Sequence, residues 1–135
     1  MTTKFTSIVL LMTTLTACGG ANAPANPADV ATKVVRLAFA QQLAEAFDLV
    51  EPGPGVTKDD YVAKNSKSAK KMAAVAEHCG GIASVTASEL KREGDTAIVS
   101  IKVIYKNNTT LSCRDVTITQ RAVRQDDSHW RMVDH

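Results

Sequence analysis

The spacing of hydrophobic residues divides the chain into a helical part and a strand part. Between residues 28 and 79, apolar residues recur at intervals of three and four, which places them on one face of a helix. Beyond Gly81 they alternate with polar residues, which is the period of a half-buried strand. We therefore expect helices first and a sheet after them.

The first predicted helix begins after Asn26 and should run to about Val50. Asn26 can cap its first turn, Pro27 suits the first helical position, and Asp29 places an acid near the positive end of the helix. The segment Glu-Pro-Gly-Pro-Gly at 51–55 cannot continue a helix, and it lacks the Lys-Ser/Thr of a phosphate-binding loop. The expected apolar stripe consists of Val35, Phe39, Leu43, Ala46, Phe47 and Val50.

The second predicted helix begins with a capping box formed by Thr57 and Asp60. It should run to about Cys79, with a break near Asn65–Ser66, and Gly80–Gly81 should end it. Its buried stripe is expected at Met72, Val75, Ala76 and Cys79.

The remaining residues predict four strands, at 82–92, 97–105, 111–123 and 129–133. Short polar segments at 93–95, 106–109 and 125–128 join consecutive strands, which is typical of an antiparallel meander. The predicted fold class is α+β, with two N-terminal helices packed on one face of a four-stranded antiparallel meander. The core-facing positions of the clearest strand are Ala97, Val99, Ile101, Val103 and Tyr105.

The N-terminus resembles the leader of a bacterial lipoprotein. Lys4 precedes a short apolar run, and Leu15-Thr16-Ala17-Cys18 resembles a lipobox. The resemblance implies a signal peptide over 1–17, palmitate-type lipid on Cys18, a flexible tether over 18–27 and a folded domain over 28–135. Lipid on Cys18 would hold the protein in a membrane of the cell envelope. Gly19 follows the cysteine where Asp would signal the inner membrane, so the outer membrane is favoured. A secretory leader with a coincidental cysteine is the alternative.

Three cysteines are an odd number for an exported protein. With Cys18 carrying lipid, Cys79 and Cys113 remain as a pair in an oxidising compartment, and we expect a disulfide between them. The alternatives are a metal site with His78 or a reactive thiol. A separation of 34 residues with one adjacent histidine matches no metal-ligand spacing, which favours the disulfide.

Composition narrows the function classes. The chain has 135 residues, enough for one domain, and a formal net charge of +2, too small to drive binding to nucleic acid. No arrangement of nucleophile, base or metal ligands is readable. We therefore predict neither enzyme activity nor a cofactor or metal, and no nucleic-acid partner.

The helix-then-meander order resembles the small NTF2-like, or cystatin-like, bacterial lipoproteins of unknown function. The residues that carry this resemblance are Glu93-Gly94-Asp95-Thr96-Ala97-Ile98-Val99 and the closing Trp130-Arg131-Met132-Val133. The resemblance implies a cone-shaped sheet over residues 28–135. The same fold serves both isomerases and binding modules, so it does not choose between them.

An isomerase of this fold would need an acid and a base that converge in an apolar cavity. Tyr105 and Asp115 are the candidates, although Tyr105 can equally cap the core and Asp115 can face water beside Arg114. Trp130 could line a ligand site or belong to the core, and His78 could be a ligand or a solvated helix-end residue. Four lysines could contact anionic lipid or form a solvated helix face: Lys64, Lys67, Lys70 and Lys71.

Two functions follow from these observations. The leading one is a membrane-anchored envelope lipoprotein with a non-catalytic binding or accessory domain and an envelope protein as its partner. The alternative is a small-molecule-binding or isomerase-like domain that uses the concave face of the sheet. A cavity above about 300 Å³ with convergent polar groups would favour the alternative, and a filled sheet face would favour the first.

Overall fold

The computed structural model describes residues 26–134. The predicted leader, Cys18 and nearly all of the predicted tether lie outside the described residues. The structure has three α-helices, one 3-10 helix and five strands within this range. Their bounds are α1 Pro27–Phe39, α2 Leu43–Phe47, β1 Val50–Glu51, α3 Lys58–His78, β2 Ile82–Glu93, β3 Thr96–Tyr105, the 3-10 helix Leu111–Cys113, β4 Val116–Arg124 and β5 Trp130–Val133.

The five strands form one sheet in the order β1-β5-β4-β3-β2. Strands β2 to β5 make the predicted antiparallel meander, but β1 adds a fifth, parallel strand in which Val50 is opposite Met132. The backbone N–H of Met132 donates to the carbonyl of Leu49 at 2.9 Å, and that of Asp134 to the carbonyl of Glu51 at 3.0 Å. The expectation of four strands is therefore wrong by one, because a strand of two residues is too short to show alternation.

The first predicted helix is two helices. The chain turns at Gln41, which has a left-handed φ of 58°, and the N–H of Gln42 donates to the carbonyl of Leu37 at 2.8 Å. The stripe of apolar residues continues across this turn because Leu43 and Ala46 are buried again in α2. A left-handed conformation costs a residue with a side chain about 1–2 kcal/mol, and no glycine marks this turn in the sequence. The expected helix end at Val50 is also wrong, because Val50 lies in β1.

Helix α3 is continuous, and its predicted capping box is present. The N–H of Asp60 donates to the Thr57 hydroxyl and the N–H of Thr57 donates to the Asp60 carboxylate, both at 3.2 Å. The expected break near Asn65–Ser66 is absent. Instead the Asn65 amide donates to the carbonyl of Tyr61 at 2.9 Å and the Ser66 hydroxyl to that of Val62 at 2.5 Å, so both side chains bond within the helix.

The core-facing positions predicted for β3 are confirmed, since all five are nearly inaccessible to solvent.

The third predicted strand is shorter than expected. Its first residues, Leu111–Cys113, form the 3-10 helix, and the pairing of β4 with β3 begins only at Val116 opposite Val103. The segment does not follow β3 because Cys113 is bonded to Cys79 and is held against the end of α3.

The helices lie on one face of the sheet, as predicted. Helix α1 packs across β2, β3 and β5, whereas α3 packs mainly against α1, α2 and the 3-10 helix. The core-facing side of β4 therefore lies opposite α3 without close packing, since Val116 and Gln120 are exposed and Ile118 is half-buried. Within residues 26–134 no helix combines the length and apolar character that a membrane span requires.

Candidate ligand-binding site

Two neighbouring cavities occupy the space between α3 and the sheet. The inner cavity has a volume of about 170 Å³ and lies among α1, α3, β4 and β5. The outer cavity has a volume of about 310 Å³ and lies towards the ends of α1 and β3. Met72 from α3 and Ile118 from β4 line both cavities. The two spaces are thus neighbours separated by these side chains.

Helix α3 presents one face to the inner cavity. Tyr61, Asn65, Ser68, Ala69 and Met72 line it at intervals of three and four residues, which is one side of a helix. The burial of Tyr61 and Ala69 shows that this side of α3 faces the interior. The opposite lining is provided by Val34, Val35, Ala38, Leu43, Val50, Ile118, Gln120, Met132, Val133 and Asp134.

The inner cavity contains a polar pair, Tyr61 and Asp134. Burial raises the pKa of the Tyr61 phenol above its ordinary value, and the nearby Asp134 carboxylate raises it further. Asp134 also pairs with Lys64, with 3.7 Å between the Lys64 Nζ and a carboxylate oxygen. The Tyr61 ring packs on Phe47 with 5.6 Å between ring centroids. Tyr61 is therefore a neutral phenol beside a paired carboxylate.

The outer cavity is almost entirely apolar. Its floor includes Val103 and Tyr105 of β3, and the Tyr105 ring makes an edge contact with Phe39 at 6.4 Å between centroids. Burial raises the pKa of the Tyr105 phenol, so this side chain is neutral. The remaining lining residues are Lys71, Met72, Val75, Val116 and Ile118.

The structure does not bring the two predicted isomerase candidates together. Tyr105 lines the outer cavity from the core-facing side of β3. Asp115 is exposed and pairs with Lys102 at 3.6 Å. Lys102 is an exposed residue of β3 and lies on the face of that strand opposite to Tyr105. Tyr105 and Asp115 therefore form no acid–base pair.

The other candidate residues occupy separate positions in the structure. Trp130 is buried, so it belongs to the core. His78 is exposed at the end of α3, and residues 26–134 contain no group of His, Cys, Asp and Glu that could hold a metal ion. Of the four lysines, Lys64 pairs with Asp134 and Lys71 lines the outer cavity, which places these two beside the site.

The expected disulfide is present. The sulfurs of Cys79 and Cys113 are 2.03 Å apart and their Cα atoms 5.6 Å apart. Neither thiol is free in the structure, which leaves no role for a reactive thiol or for a metal site with His78. The sequence placed Cys113 on the third strand, and this was wrong, because Cys113 lies in the 3-10 helix.

Sequence reasoning missed Tyr61 and Asp134. A signal for Tyr61 was available, because the helical interval that connects Met72 and Cys79 extends back through Asn65 to Tyr61. Polar residues on the inward stripe of a helix indicate that it faces a space and not a packed core. Asp134 carried no signal, because its position depends on the pairing of β1 with β5.

Comparisons with known proteins bear on the fold. No family model matches the chain, and no curated protein matches it. A crystal structure from Campylobacter jejuni, provisionally named an NTF2-like transpeptidase, is similar, with a TM-score of 0.65. It is 14% identical in sequence, and the similarity covers 78% of this chain and 94% of that one.

The fold is NTF2-like. The resemblance inferred from residues 93–99 and 130–133 is thus confirmed at the level of the fold. At this identity the likeness concerns architecture alone, and the cavities between α3 and the sheet must be interpreted from their own residues.

Proposed function

We propose that the protein is a lipid-anchored envelope protein whose NTF2-like domain binds a small, largely apolar molecule between α3 and the sheet. The observation that carries this proposal is the outer cavity, with a volume of about 310 Å³ and an almost wholly apolar lining. Ligand pockets commonly begin at about 300 Å³ and combine an apolar lining with a few polar groups. Here Lys71 and the Tyr105 phenol are the polar groups of the outer cavity, and further polar residues line the adjoining inner cavity.

A partly exposed apolar cavity between α3 and the sheet supports this proposal over a purely accessory domain. Val75 of α3 and Val116 of β4 line the outer cavity and are 41% and 39% exposed, whereas protein interiors normally fill such spaces to high density. A ligand that occupies this space would cover the apolar surface that these two residues leave exposed. Its burial would contribute roughly 25 cal/mol for each Å² removed from water.

Binding without catalysis fits the charged groups better than an isomerase reaction does. A carboxylate that acts as base in such a fold works within hydrogen-bond reach of its substrate in an apolar site. Asp134 instead pairs with Lys64, and Asp115 pairs with Lys102 outside the cavities. The neutral Tyr61 phenol can donate a hydrogen bond to a ligand, which is a positioning role.

Filling the outer cavity tests the binding proposal. Val75 lines the cavity, yet 41% of it is exposed, so Val75→Trp can enter the cavity from its rim without removing a core residue. Ala74 is exposed and lies outside the lining, which makes Ala74→Trp the matched control.

The measurement is the fluorescence of the neutral dye N-phenylnaphthylamine titrated into the full chain. A Cys18→Ser background avoids any attached lipid that could enter the cavity. We expect the unfilled protein and the Ala74→Trp variant to enhance the dye's emission and the Val75→Trp variant to abolish this enhancement. Equal emission with both tryptophan variants would contradict binding in the outer cavity.

The anchor is proposed on the sequence alone. Leu15-Thr16-Ala17-Cys18 after an apolar run supports cleavage before Cys18 and lipid on its sulfur. Cys18→Ser should leave an unprocessed precursor and abolish incorporation of labelled palmitate. Normal processing and labelling of that variant would exclude the anchor. An outer-membrane location and an envelope protein partner stay predictions, which membrane fractionation and a pull-down with the intact protein test.

A further inference from the structure

The outer cavity has one charged residue at its edge, and this residue indicates the class of ligand. We propose that the ligand is a monomeric amphiphile with an anionic head, an inference that rests on the proposed function. Its hydrocarbon chain lies in the outer cavity, and its head pairs with the ammonium group of Lys71. The proposal rests on the lining of the cavity, the surroundings of Lys71 and the pattern of charge along α3.

The lining fits a hydrocarbon chain. Seven of the eight residues that line the outer cavity are aliphatic, aromatic or Met, and Lys71 is the one charged residue among them. Apart from the Tyr105 hydroxyl and the Lys71 ammonium group, this lining offers no hydrogen bonds to a ligand, and a polar group buried against the rest of it without a partner would lose free energy. The part of the ligand that enters the cavity is therefore hydrocarbon.

Lys71 is placed to meet a charged head. Its side chain lines the cavity although the residue is exposed, so its methylene stem can lie along the apolar surface while the ammonium group reaches water. Lys58, Lys64 and Lys102 each have a carboxylate partner, whereas Lys71 has none among residues 26–134. An incoming anion would thus displace no existing ion pair.

The neighbouring residues on α3 favour the same orientation of the ligand, with its head at Lys71 and its chain in the outer cavity. Lys67 lies one turn before Lys71 and Val75 one turn after it, so a positive strip of the helix meets the apolar rim at this point. The carboxylates of Asp134 and Asp115, which could oppose an anion, are engaged by Lys64 and Lys102. Tyr105 is a neutral phenol and does not repel a negative head.

The experiment compares dodecanoate with dodecanol, which share a hydrocarbon chain and differ in the charge of the head. Both are titrated below their micelle or aggregation limits into the full chain with Cys18→Ser, by displacement of N-phenylnaphthylamine. The variants are Lys71→Met, which keeps most of the side-chain length, and Lys70→Met. Lys70 is exposed on the same helix but does not line the cavity, so it is the matched control.

We expect dodecanoate to bind about fivefold more tightly than dodecanol, which is the upper range for an exposed ion pair. Lys71→Met should remove this preference and leave dodecanol binding unchanged, and Lys70→Met should preserve it. Melting curves establish that both variants are folded.

Three results would overturn the proposal of an anionic head, and they differ in whether the proposed function also fails. Equal binding of both ligands, unchanged by Lys71→Met, would refute the anionic head but leave the proposed apolar ligand intact. Failure of either ligand to bind would refute the proposed function as well. Sedimentation with vesicles of anionic phospholipid that depends on Lys71, without binding of monomeric dodecanoate, would assign Lys71 to a membrane surface instead.

Discussion

Cys79, the residue that caps the C-terminal end of α3, is bonded to Cys113 of the 3-10 helix, with 5.6 Å between their Cα atoms. Helix α3 forms one side of the outer cavity through Val75, and the strand that follows Cys113 forms the other through Val116. The disulfide therefore joins the two sides of the cavity at one end. It contributes to the fold and also fixes the separation of α3 from β4.

Removal of both cysteines, as Cys79→Ala with Cys113→Ala, should lower the free energy of unfolding by about 3 to 4 kcal/mol. The physical reason is that the bond closes a loop of 34 residues and thereby restricts the unfolded chain. Urea unfolding measures this loss. The same variant should bind N-phenylnaphthylamine more weakly, because α3 and β4 are no longer held at one end.

Thiol titration of the unfolded, unreduced protein in the Cys18→Ser background is the control for this prediction. It should detect no free thiol. Two free thiols per chain would mean that the bond does not form. A double variant as stable as the parent would instead mean that the rest of the fold already restricts α3 and the 3-10 helix.

Thr57→Ala should lower the free energy of unfolding by about 1 kcal/mol, because it removes the side chain that accepts from the N–H of Asp60 at the start of α3. Ser66→Ala is the matched control. Its hydroxyl donates to the carbonyl of Val62 inside the same helix, where loss of the bond leaves the helical backbone intact. Urea unfolding of both variants measures the difference. Equal stability of the two would show that the cap adds nothing to α3.

Sequence patterns were sufficient for the elements whose signals are local. The cap at Asn26, the capping box at Thr57 and the alternation along β3 are each encoded within a few residues, and each is found where predicted. The turn at Gln41 and the strand at Val50 have no such signal. Both arise because distant parts of the chain bury or pair with these segments.

The candidate site was less predictable than the fold. Tyr105 was placed correctly on the core-facing side of β3, but its expected partner Asp115 lies outside the cavities. The cavities lie where α3 does not pack closely on β4, and helical periodicity contains no information about the distance between a helix and a sheet. A polar Asn65 within the inward stripe of α3 was the one available hint.

Trp130→Ala should lower the free energy of unfolding by about 3 to 5 kcal/mol, since it empties a fully buried site in β5. The Trp130 ring also lies 5.0 Å from the guanidinium of Arg92 and 5.4 Å from that of Arg124, contacts that alanine cannot make. Leu90→Ala is the control, because 61% of Leu90 is exposed and its truncation should change stability by about 0.5 kcal/mol or less. Thermal and urea unfolding measure both. A loss below about 1 kcal/mol for Trp130→Ala would contradict its place in the core.

The turn between β4 and β5 should give the protein a specific sensitivity to acid. The Asp127 carboxylate accepts hydrogen bonds from the Arg131 guanidinium at 2.8 Å and from the N–H of His129 at 3.1 Å, and these contacts lower its pKa to about 2. Since the unfolded carboxyl has its ordinary value near 3.8, the folded state gains stability from Asp127 above that pH and loses the gain as the pH falls towards about 2. Asp127→Asn should therefore lower the melting temperature at neutral pH, and its difference in melting temperature from the parent should disappear near pH 2.

Asp126→Asn is the control. It changes a neighbouring carboxylate that makes no hydrogen bond or ion pair within residues 26–134, so this variant should melt like the parent at both pH values. If Asp127→Asn lowered the melting temperature equally at neutral and acid pH, the carboxylate would act through its shape and not through its charge.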